Sequence, residues 1–327
     1  MTTTDDASRS HESPTADAGK ATRKPLVAVV GSVNTDILLA VDALPLPGQT
    51  VLANSSTAQA GGKGANQAVA AARLGARVAF IGAVGQDPNA SLALTGLREA
   101  GVDIGGVAVV PGETGMAFVA VDRNGENSII VSRGANARVD RAMVLQHRDL
   151  LEDAAVLVLQ GEVPAEAAAA AAQASPARLV LNLAPVIPLD PAVLRRADPL
   201  IVNEHEGRLA LQMLGASGGE GPAADESVVA ALVGQGIRSV VMTRGARGAL
   251  LSQGTSLVSV EAPPVAAFDT TGAGDAFVGA LSARIAAGDS LEDAVRLAVR
   301  VGAFAVLHSG AQSSYPYTTD RLPGGNS

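Results

Sequence analysis

The sequence predicts an α/β protein with a mainly parallel sheet that is covered on both sides by helices. Apolar, β-branched runs of strand length alternate with segments of helical period along most of the chain. Gly75 and Gly101 stand where two of these helical segments end, and glycine is the preferred residue just after a helix. This alternation is typical of a parallel sheet whose crossover helices cover both faces.

The predicted elements can be followed in chain order. A β-branched strand at 26–33 is followed by a helix at 64–74, which Gly75 ends, and by a second strand at 78–84. The later elements are a helix at 91–100, strands at 156–160, 179–182, 200–202 and 239–243, and helices at 165–174, 275–287 and 290–307. Phe277, Leu281 and Ile285 lie four residues apart, so they give the helix at 275–287 an apolar stripe.

Two regions lack the expected covering helix. Residues 37–60 contain strand-like runs where a crossover helix should follow the first strand, and residues 114–132 contain two more around D-R-N-G at 122–125, a strong hairpin signal. We therefore predict a small β-sheet inserted into the main domain as a lid, with strands from about 37–60 and 114–132. An ordinary edge hairpin is the alternative interpretation.

Length and composition limit the classes of protein. The 327 residues suit one main domain with a small accessory part, and the hydrophobic content of 47% includes only 2% aromatic residues. The net charge of -8, from 24 Lys and Arg against 32 Asp and Glu, argues against a nucleic-acid partner. The absence of cysteine excludes disulfides, thiolate nucleophiles and cysteine zinc sites, and it fits a cytoplasmic protein.

The ends and the most apolar segment give no sign of a membrane protein. Residues 1–24 are rich in Thr, Ser, Asp and Ala, so they are predicted to be a disordered tail before a domain at 25–320. The alanine-rich helix at 165–174 is far shorter than the roughly 20 residues of a membrane span. We expect no membrane association.

The segment D-T-T-G-A-G-D-A-F at 269–277 predicts a phosphate site. Gly272, Ala273 and Gly274 precede a helix, where unpaired N–H groups and the helix dipole attract anions and small side chains allow close approach. Asp275 in the first turn would accept a proton from an attacking hydroxyl group. The alternative is a glycine turn before an ordinary helix-capping aspartate. Neither the P-loop spacing nor the dinucleotide-binding spacing of glycines is present.

Polar residues near the end of the first predicted strand form a second candidate site. Asn34 and Asp36 are two residues apart, so they point to the same side of an extended chain and suit a ligand with several hydroxyl groups. The loop at 61–66 adds Gly62, the cation of Lys63 and the amide of Asn66. A capped strand end beside an ordinary helix start is the alternative.

Three motifs together resemble one known family. G-S-V-N-T-D at 31–36, G-G-K-G-A-N-Q-A at 61–68 and D-T-T-G-A-G-D-A-F at 269–277 resemble the ribokinase-like (phosphofructokinase-B type) carbohydrate kinases. The resemblance runs from about Pro25 to Tyr317 and keeps the motif order and distances of the family. It implies a three-layer α/β/α sandwich with a small β-sheet lid that often joins two subunits into a homodimer.

The resemblance also implies roles for individual residues. Asp275 matches the catalytic base, and the stretch from Gly272 to Gly274 matches the anion hole. The positions that match sugar contacts are Asn34, Asp36, Gly62, Lys63, Asn66, Glu162 and Asp275. The positions that match ATP contacts are Asn203, Thr243, Gly245, Gly248 and Gly274. Glu206 would help position Mg²⁺ indirectly, in a motif that otherwise indicates only an acidic helix start.

A monovalent-cation site is implied by the same resemblance. The positions that match K⁺ ligands are Asp269, Thr271, Ala305, His308, Gly310 and Ser314. The family has Arg where this chain has His308, but the ligand there is a backbone carbonyl, so the resemblance still implies K⁺. Val299 replaces a polar residue that some relatives place near the adenine, which leaves the base contacts undefined.

The implied reaction is transfer of the ATP γ-phosphoryl group to a primary hydroxyl of a free sugar. Asp36 and Glu162 outnumber Lys63, which disfavours a substrate that already carries phosphate. D-ribose is the first choice, and another pentose, a deoxy-sugar or a nucleoside is the alternative. A nucleoside is disfavoured because the chain has only five Phe and two Tyr, of which Phe118 is the best placed for stacking. A non-catalytic sugar sensor is the alternative from another class.

Overall fold

The computed structural model describes residues 2, 24–123, 126–216 and 224–325. The tail predicted at 1–24 lies outside the described residues apart from Thr2 and Lys24, and the predicted turn at 122–125 lies outside them at Asn124 and Gly125. No helix of the described part of the chain has the length and hydropathy needed to cross a membrane.

The secondary structure alternates as predicted. The strands are β1 (Leu26–Val30), β2 (Asn34–Val41), β3 (Ala53–Gly61), β4 (Arg77–Gly85), β5 (Asp103–Val110), β6 (Gly115–Val121), β7 (Asn127–Ser132), β8 (Ala154–Leu159), β9 (Arg178–Asn182), β10 (Leu200–Asn203), β11 (Ser239–Thr243), β12 (Ala249–Gln253) and β13 (Ser256–Val260). The helices are α1 (Lys63–Arg73), α2 (Asn89–Ala93), α3 (Thr95–Glu99), α4 (Arg141–Leu145), α5 (Arg148–Asp153), α6 (Ala165–Ala174), α7 (Pro191–Arg196), α8 (Glu204–Met213), α9 (Asp225–Gly234), α10 (Ala273–Ala286) and α11 (Leu291–Ala305).

A large sheet forms the middle layer. Its strand order among the described residues is β13-β12-β11-β10-β9-β8-β1-β4-β5, and the strands from β11 to β5 are parallel. Strand β12 is antiparallel to both of its neighbours. The predicted α/β fold with a mainly parallel sheet is therefore confirmed.

Alternate side chains of the large sheet enter two separate hydrophobic cores. Val27 and Val29 of β1 pack in the core on one face, which includes α1, α10 and α11. Ala28 and Val30 point the other way, into a core with α6, α7, α8 and α9. Because β1 is buried on both faces, its sequence is a continuous apolar run rather than an alternating one.

A separate small sheet has the strand order β3-β2-β6-β7. Strand β2 is antiparallel to β3 and parallel to β6, and β7 is antiparallel to β6. Strand β7 is exposed along its whole length, and most of β3 is exposed as well. We call these four strands the small sheet.

Three sequence-based boundaries differ from the structure. The first strand ends at Val30 rather than residue 33, so Asn34 and Asp36 begin β2 of the small sheet instead of ending β1. Of the strand-like runs within 37–60, the one at 50–53 belongs to a strand only from Ala53, where β3 begins. The helix predicted at 91–100 is two short helices, α2 and α3, separated by Leu94.

Helices α1 and α10 pack closely because Gly279 lies between them. A β-carbon added at Gly279 would lie 2.5 Å from both Ala70 Cβ and the Gln67 carbonyl oxygen. These distances are far below ordinary van der Waals contact, and one of them involves backbone. Glycine at position 279 therefore sets the distance between the two helices.

We expect Gly279→Ala to destabilise the protein by about 1–3 kcal/mol, because overpacking outweighs the roughly 1 kcal/mol that alanine gains in a helix. Urea unfolding would show this as a lower midpoint with an unchanged slope. Gly234→Ala is the matched control, because Gly234 ends α9 and has no atom within 4 Å of an added β-carbon. Equal stability of the Gly279→Ala variant and the wild type would contradict the packing argument.

Candidate active site

The candidate site lies where several parallel strands of the large sheet end. Gln160 directly follows β8, and Asn182, Asn203 and Thr243 are the last residues of β9, β10 and β11. The carboxyl ends of neighbouring parallel strands form one edge, which is the usual ligand position in an open α/β sheet. The structure therefore brings to one edge polar residues that are spread over more than 80 positions of the sequence.

The start of α10 has the features of an anion site. Gly272 precedes the helix in the left-handed conformation at φ 73°, and its carbonyl accepts a hydrogen bond of 3.1 Å from the Tyr315 hydroxyl group. Among the described residues, no atom outside the neighbouring backbone of α10 lies within 4 Å of a β-carbon added at Gly274, so this side of the helix start is open. The N–H of Ala273 donates to Thr270 O at 3.3 Å, which leaves the next amides of the first turn as the available donors.

Asp275 lies in the first turn of α10 and is turned towards α1. Its Oδ2 accepts a hydrogen bond of 2.9 Å from Asn66 Nδ2, and its Oδ1 accepts one of 2.9 Å from Gln67 Nε2. The side chain is buried. The candidate base is therefore held by two amides beside the open start of its own helix.

Further amides continue from these two. Gln67 Nε2 also donates to Asn182 Oδ1 at 2.9 Å, and Gln67 Oε1 accepts from Gln160 Nε2 at 2.8 Å. Asn66 Oδ1 accepts from Gln312 Nε2 at 2.9 Å. We call Asn66, Gln67, Gln160, Asn182 and Gln312 the amide network; all five are buried.

The predicted sugar side is built on β2. Asn34 and Asp36 point to the same side of the strand and are both buried. Asn34 Oδ1 accepts a hydrogen bond of 2.8 Å from Asn136 Nδ2, whereas Asp36 Oδ1 has no partner among the described residues. Asp36 lies over Gly61 of β3, where an added β-carbon would be 2.0 Å from the Asp36 carboxylate.

The pKa of Asp36 is raised to about 7, mainly by burial and further by the charges of Glu162 and Asp275, although Lys63 opposes this increase. An unpartnered, buried carboxyl oxygen has the chemistry needed to accept a hydrogen bond from a hydroxyl group of a ligand. This is the feature that a predicted sugar contact should show.

The loop before α1 is fixed against the end of β1. Gly62 has φ 89°, and a β-carbon there would lie 2.8 Å from Asn34 N, so only glycine fits. Glu162 Oε2 accepts hydrogen bonds from Ser32 Oγ at 2.5 Å and from Lys63 N at 3.0 Å. Glu162 thus joins the loops that carry the predicted sugar contacts.

Lys63 is the cation among a group of carboxylates. Asp275 raises the pKa of Lys63 most strongly, burial opposes this effect, and Glu162, Glu206 and Asp36 add to the increase. The ammonium group therefore stays charged over the physiological pH range. Four carboxylates around one lysine leave an excess of negative charge at this edge of the sheet.

The predicted nucleotide side has a well-formed helix cap. Asn203 Oδ1 accepts from Glu206 N at 2.8 Å, and Glu206 Oε2 accepts from Asn203 N at 2.8 Å, which is a complete capping box at the start of α8. Burial raises the pKa of Glu206, although the Asn203 N–H opposes this. Thr243 lies opposite Asn203 in the register of β10 and β11.

A tight turn after β11 carries the two predicted ATP-binding glycines. Gly245 and Gly248 both have positive φ, and Arg244 N donates to Gly248 O at 2.8 Å. A β-carbon at Gly248 would lie 2.0 Å from Val260 O. The turn therefore requires glycine at position 248 for close packing against β13.

The predicted K⁺ ligands come from two adjacent loops. Asp269 Oδ1 accepts from Thr271 N at 2.9 Å, and its Oδ2 accepts from Gly310 N at 2.8 Å. Burial acts to raise the pKa of Asp269, but these hydrogen bonds outweigh it and lower the pKa. In residues 24–123, 126–216 and 224–325, no three His, Asp or Glu side chains form a cluster that could hold a metal ion.

The other predicted K⁺ ligands lie in the chain after α11. The Ala305 carbonyl accepts the His308 N–H at 3.1 Å, and the His308 ring is exposed, packing against Phe304 with centroids 4.6 Å apart. Ser314 is buried, and its hydroxyl group donates to Ala311 O at 2.7 Å. The His308 side chain thus points away from a ligand role, as expected if its carbonyl is the ligand.

Several residues of this site are not predicted from the sequence. Gln67 lies within the motif at 61–68 and could have been singled out, because a buried amide next to Asn66 on an otherwise alanine-rich helix is unusual. Gln160 and Asn182 stand at strand ends, which is a weaker signal. Gln312 and Tyr315 lie in an irregular C-terminal segment, and nothing in their local sequence indicates a site.

Comparison with known proteins agrees with this geometry. Residues 24–318 match the pfkB family of carbohydrate kinases. The chain belongs to this family. The predicted family resemblance is therefore confirmed, and the protein is a carbohydrate kinase by family.

Individual relatives cover nearly the whole chain. A ribokinase of Schizosaccharomyces pombe is 37% identical over 307 residues, which cover 89% of this chain and 94% of the relative. The crystal structure of a ribokinase from Thermotoga maritima has a TM-score of 0.82 at 31% identity, covering 90% of this chain and 97% of the other. The structure of an Arabidopsis thaliana ribokinase complexed with ribose and ATP has a TM-score of 0.78 at 30% identity, covering 90% and 96%.

The raised pKa of Asp36 predicts a pH-dependent loss of stability. The unfolded chain releases this proton near pH 3.8, whereas the folded protein keeps it up to about pH 7, so stability is lost as the pH rises through this window. Asp36→Asn carries no such proton and should be more stable than wild type at pH 8, by about 2–4 kcal/mol. The difference should shrink towards pH 4.

Urea unfolding of both proteins at several pH values between about 5 and 8 would measure the difference. Asp149→Asn, which changes an exposed aspartate of α5, is the matched control and should show no comparable change. A stability difference for Asp36→Asn that does not grow with pH would contradict a buried, protonated carboxyl group at position 36.

Proposed function

We propose that this pfkB-family kinase transfers the γ-phosphoryl group of ATP to D-ribose and forms D-ribose 5-phosphate. The observation that carries the proposal is the position of Asp275, a buried carboxylate in the first turn of α10 beside the open helix start at Gly274. The relatives named above support the substrate, because two are ribokinases and a third is a ribokinase complexed with ribose and ATP.

In the proposed reaction, Asp275 accepts the proton of the attacking sugar hydroxyl group. The hydroxyl oxygen then forms a bond to the γ-phosphorus while the bond from that phosphorus to the departing ADP oxygen breaks. The open amides at the start of α10 would stabilise the charge on the transferred group. General-base catalysis of this kind is typically worth about 10² to 10⁴ in rate.

Mg²⁺ would accompany ATP on the side of Glu206. A single carboxylate fits this ion, because Mg²⁺ usually keeps several waters and is bound through one or two carboxylates together with the substrate phosphates. When bound, the ion neutralises phosphate charge during transfer. Glu206 is partly buried and its carboxylate is oriented by the capping box with Asn203, and it would act on the ion indirectly.

The charge of the site favours a neutral sugar. Asp36, Glu162 and Asp275 surround the predicted sugar position with Lys63 as the nearby cation. A substrate that already carried a phosphate group would be repelled. Asp36 Oδ1, which is buried and has no partner in the described part of the chain, would accept a hydrogen bond from a sugar hydroxyl group.

K⁺ activation is the next part of the proposal. The two loops of the predicted site are joined directly through Asp269, which accepts the N–H groups of Thr271 and Gly310. Both loops are close to Gly272, because Tyr315 donates to the Gly272 carbonyl from the C-terminal side. A cation held by these loops would stabilise the anion site.

A cytoplasmic location, favoured by the cysteine-free composition, stays a prediction.

A coupled assay of ADP release tests the reaction against free pentoses, deoxy-sugars, hexoses and nucleosides, with and without K⁺. We expect the highest kcat/KM with D-ribose and a higher rate with K⁺. Asp275→Asn should lower kcat by at least about 10²-fold while ribose still binds, because the base is lost and the shape is kept. Asp149→Asn is the control and should retain wild-type turnover.

If another sugar in this panel gives the highest kcat/KM, that sugar replaces ribose as the proposed substrate, and the proposed kinase activity stands. Ribose turnover by Asp275→Asn at the wild-type rate would reject Asp275 as the base. Ribose binding by calorimetry without turnover of any acceptor in the panel would instead support a sugar sensor.

We further propose that the small sheet is a lid that joins two subunits into a homodimer. Strand β7 exposes three successive apolar residues, Ile129, Ile130 and Val131, at 55%, 69% and 44% of their surface. Phe118 lies directly opposite Ile130 in β6 and is also exposed. An apolar surface of this kind on a sheet edge is typical of a protein interface.

Ile130→Asp should therefore shift the protein from dimer to monomer, because a buried charge at an interface is strongly unfavourable. Size-exclusion chromatography with light scattering would measure the mass, with twice the chain mass expected for wild type. Leu257→Asp is the matched control, because Leu257 is a similarly exposed leucine on β13 of the large sheet. A monomeric wild-type protein would reject the proposed dimer.

A further inference from the structure

The amide network forms two chains that start at the Asp275 carboxylate. One chain runs from Oδ1 to Gln67 at 2.9 Å and then to Gln160 at 2.8 Å, with a branch from Gln67 to Asn182 at 2.9 Å. The other runs from Oδ2 to Asn66 and then to Gln312, each step at 2.9 Å. The two oxygens of the carboxylate are thus each bound by a separate chain.

The carboxylate determines the direction of both chains. An ionised carboxylate only accepts hydrogen bonds, so Asn66 and Gln67 must both turn their NH₂ groups towards Asp275. Their carbonyl oxygens then face outward and accept the NH₂ groups of Gln312 and Gln160. Flipping any one amide would place two oxygens or two NH₂ groups against each other.

The last residues of the two chains are consistent with an orientation of the amide groups that is set by the Asp275 carboxylate. Gln160 Oε1 and Gln312 Oε1 are buried and have no hydrogen-bond donor among residues 24–123, 126–216 and 224–325. Turning either amide would break the hydrogen bond that joins it to the chain from Asp275.

Glycines make room for the two chain ends. A β-carbon at Gly31 would lie 2.1 Å from Gln160 Oε1, and one at Gly96 would lie 1.8 Å from Gln312 Oε1. Gly31 directly follows β1, and Gly96 is part of α3. The backbone of two separate elements thus comes close enough to restrict both glutamine side chains to the positions that complete the network.

We propose that Gln67, fixed by Gln160 and Asn182, is a positioning residue that holds Asp275 in the orientation needed for proton transfer. This inference rests on the proposed kinase reaction. A carboxylate can accept about four hydrogen bonds, so the two bonds to the amide network leave acceptor sites for the sugar hydroxyl group. Held at both oxygens, the carboxylate cannot rotate away when that hydroxyl group arrives.

In this arrangement, most hydrogen-bonding atoms of the Asn66 side chain are already used, so few are left for the predicted sugar contact. Its carbonyl oxygen is used by Gln312 and one of its N–H groups by Asp275. Only its second N–H could reach a sugar. Gln67 is therefore the better residue to test, because its hydrogen bonds go to Asp275, Gln160 and Asn182 and it is not itself a predicted sugar contact.

The test compares Gln67→Leu and Gln67→Glu with wild type in ribose phosphorylation. Leucine keeps the approximate volume but removes the hydrogen bonds, and glutamate keeps the shape but places a carboxyl group against Asp275. We expect kcat to fall by about 10- to 100-fold, as misplaced catalytic groups typically cause, while KM for ribose and for ATP changes less than about threefold. Gln212→Leu, an exposed glutamine of α8, is the matched control and should leave both constants unchanged.

A double-mutant cycle separates positioning from a general structural effect. If Gln67 acts through Asp275, Gln67→Leu should not lower the residual kcat of Asp275→Asn any further. A purely structural role would lower kcat by a similar factor in both backgrounds. Circular dichroism and thermal unfolding identify which variants are folded, and either folded Gln67 variant is sufficient for the comparison.

Three outcomes would count against a proposal, and they can be told apart. A folded Gln67 variant with kcat within about twofold of wild type would overturn the positioning role while the kinase proposal stands. Additive losses in the double-mutant cycle would overturn it as well. Absence of ribose turnover by the wild-type protein would instead reject the proposed function, and with it the role of Gln67 in that reaction.

Discussion

The close packing of α1 against α10 is the constraint on which the site depends. Gly279 lets the two helices approach until an added β-carbon would be 2.5 Å from the Gln67 carbonyl oxygen. At that separation Asn66 and Gln67, at the start of α1, reach the carboxylate of Asp275, at the start of α10. The motifs at 61–68 and 269–277 lie about 200 residues apart in sequence, and this helix contact makes them one site.

Burial and neighbouring charges together set the charge balance of the site. Burial and acidic neighbours raise the pKa of Asp36 to about 7, so this carboxyl group is partly protonated near neutral pH, and Lys63 is kept charged by Asp275. A ligand that supplies hydroxyl groups and a cation would complement this arrangement. A neutral sugar with a magnesium nucleotide satisfies both needs, whereas a phosphorylated sugar would add to the repulsion.

The sequence was sufficient to predict the fold class and the three motifs, because strand periodicity, glycine positions and helix starts are local signals. The structure joins the motif at 61–68 to the one at 269–277 through Asp275, and to the one at 31–36 through the hydrogen bond from Ala65 N to Ser32 O. The sequence was not sufficient to predict the hydrogen-bond partners of Asp275. Gln160 and Gln312 are selected by packing against Gly31 and Gly96, which are distant in sequence, so no local pattern marks them. The residue roles carried over from the family stay predictions.

One small boundary error has a large physical consequence. The sequence places Asn34 and Asp36 at the end of the first strand, but the chain leaves the large sheet after Val30, and both residues begin β2 of the small sheet. Strand β2 is hydrogen-bonded to β3 and β6 along its whole length. Any movement of the small sheet must therefore move Asp36 relative to Asp275, whose helix packs on the large sheet. Because the sugar would lie between these two carboxyl groups, substrate binding and the position of the small sheet cannot be independent.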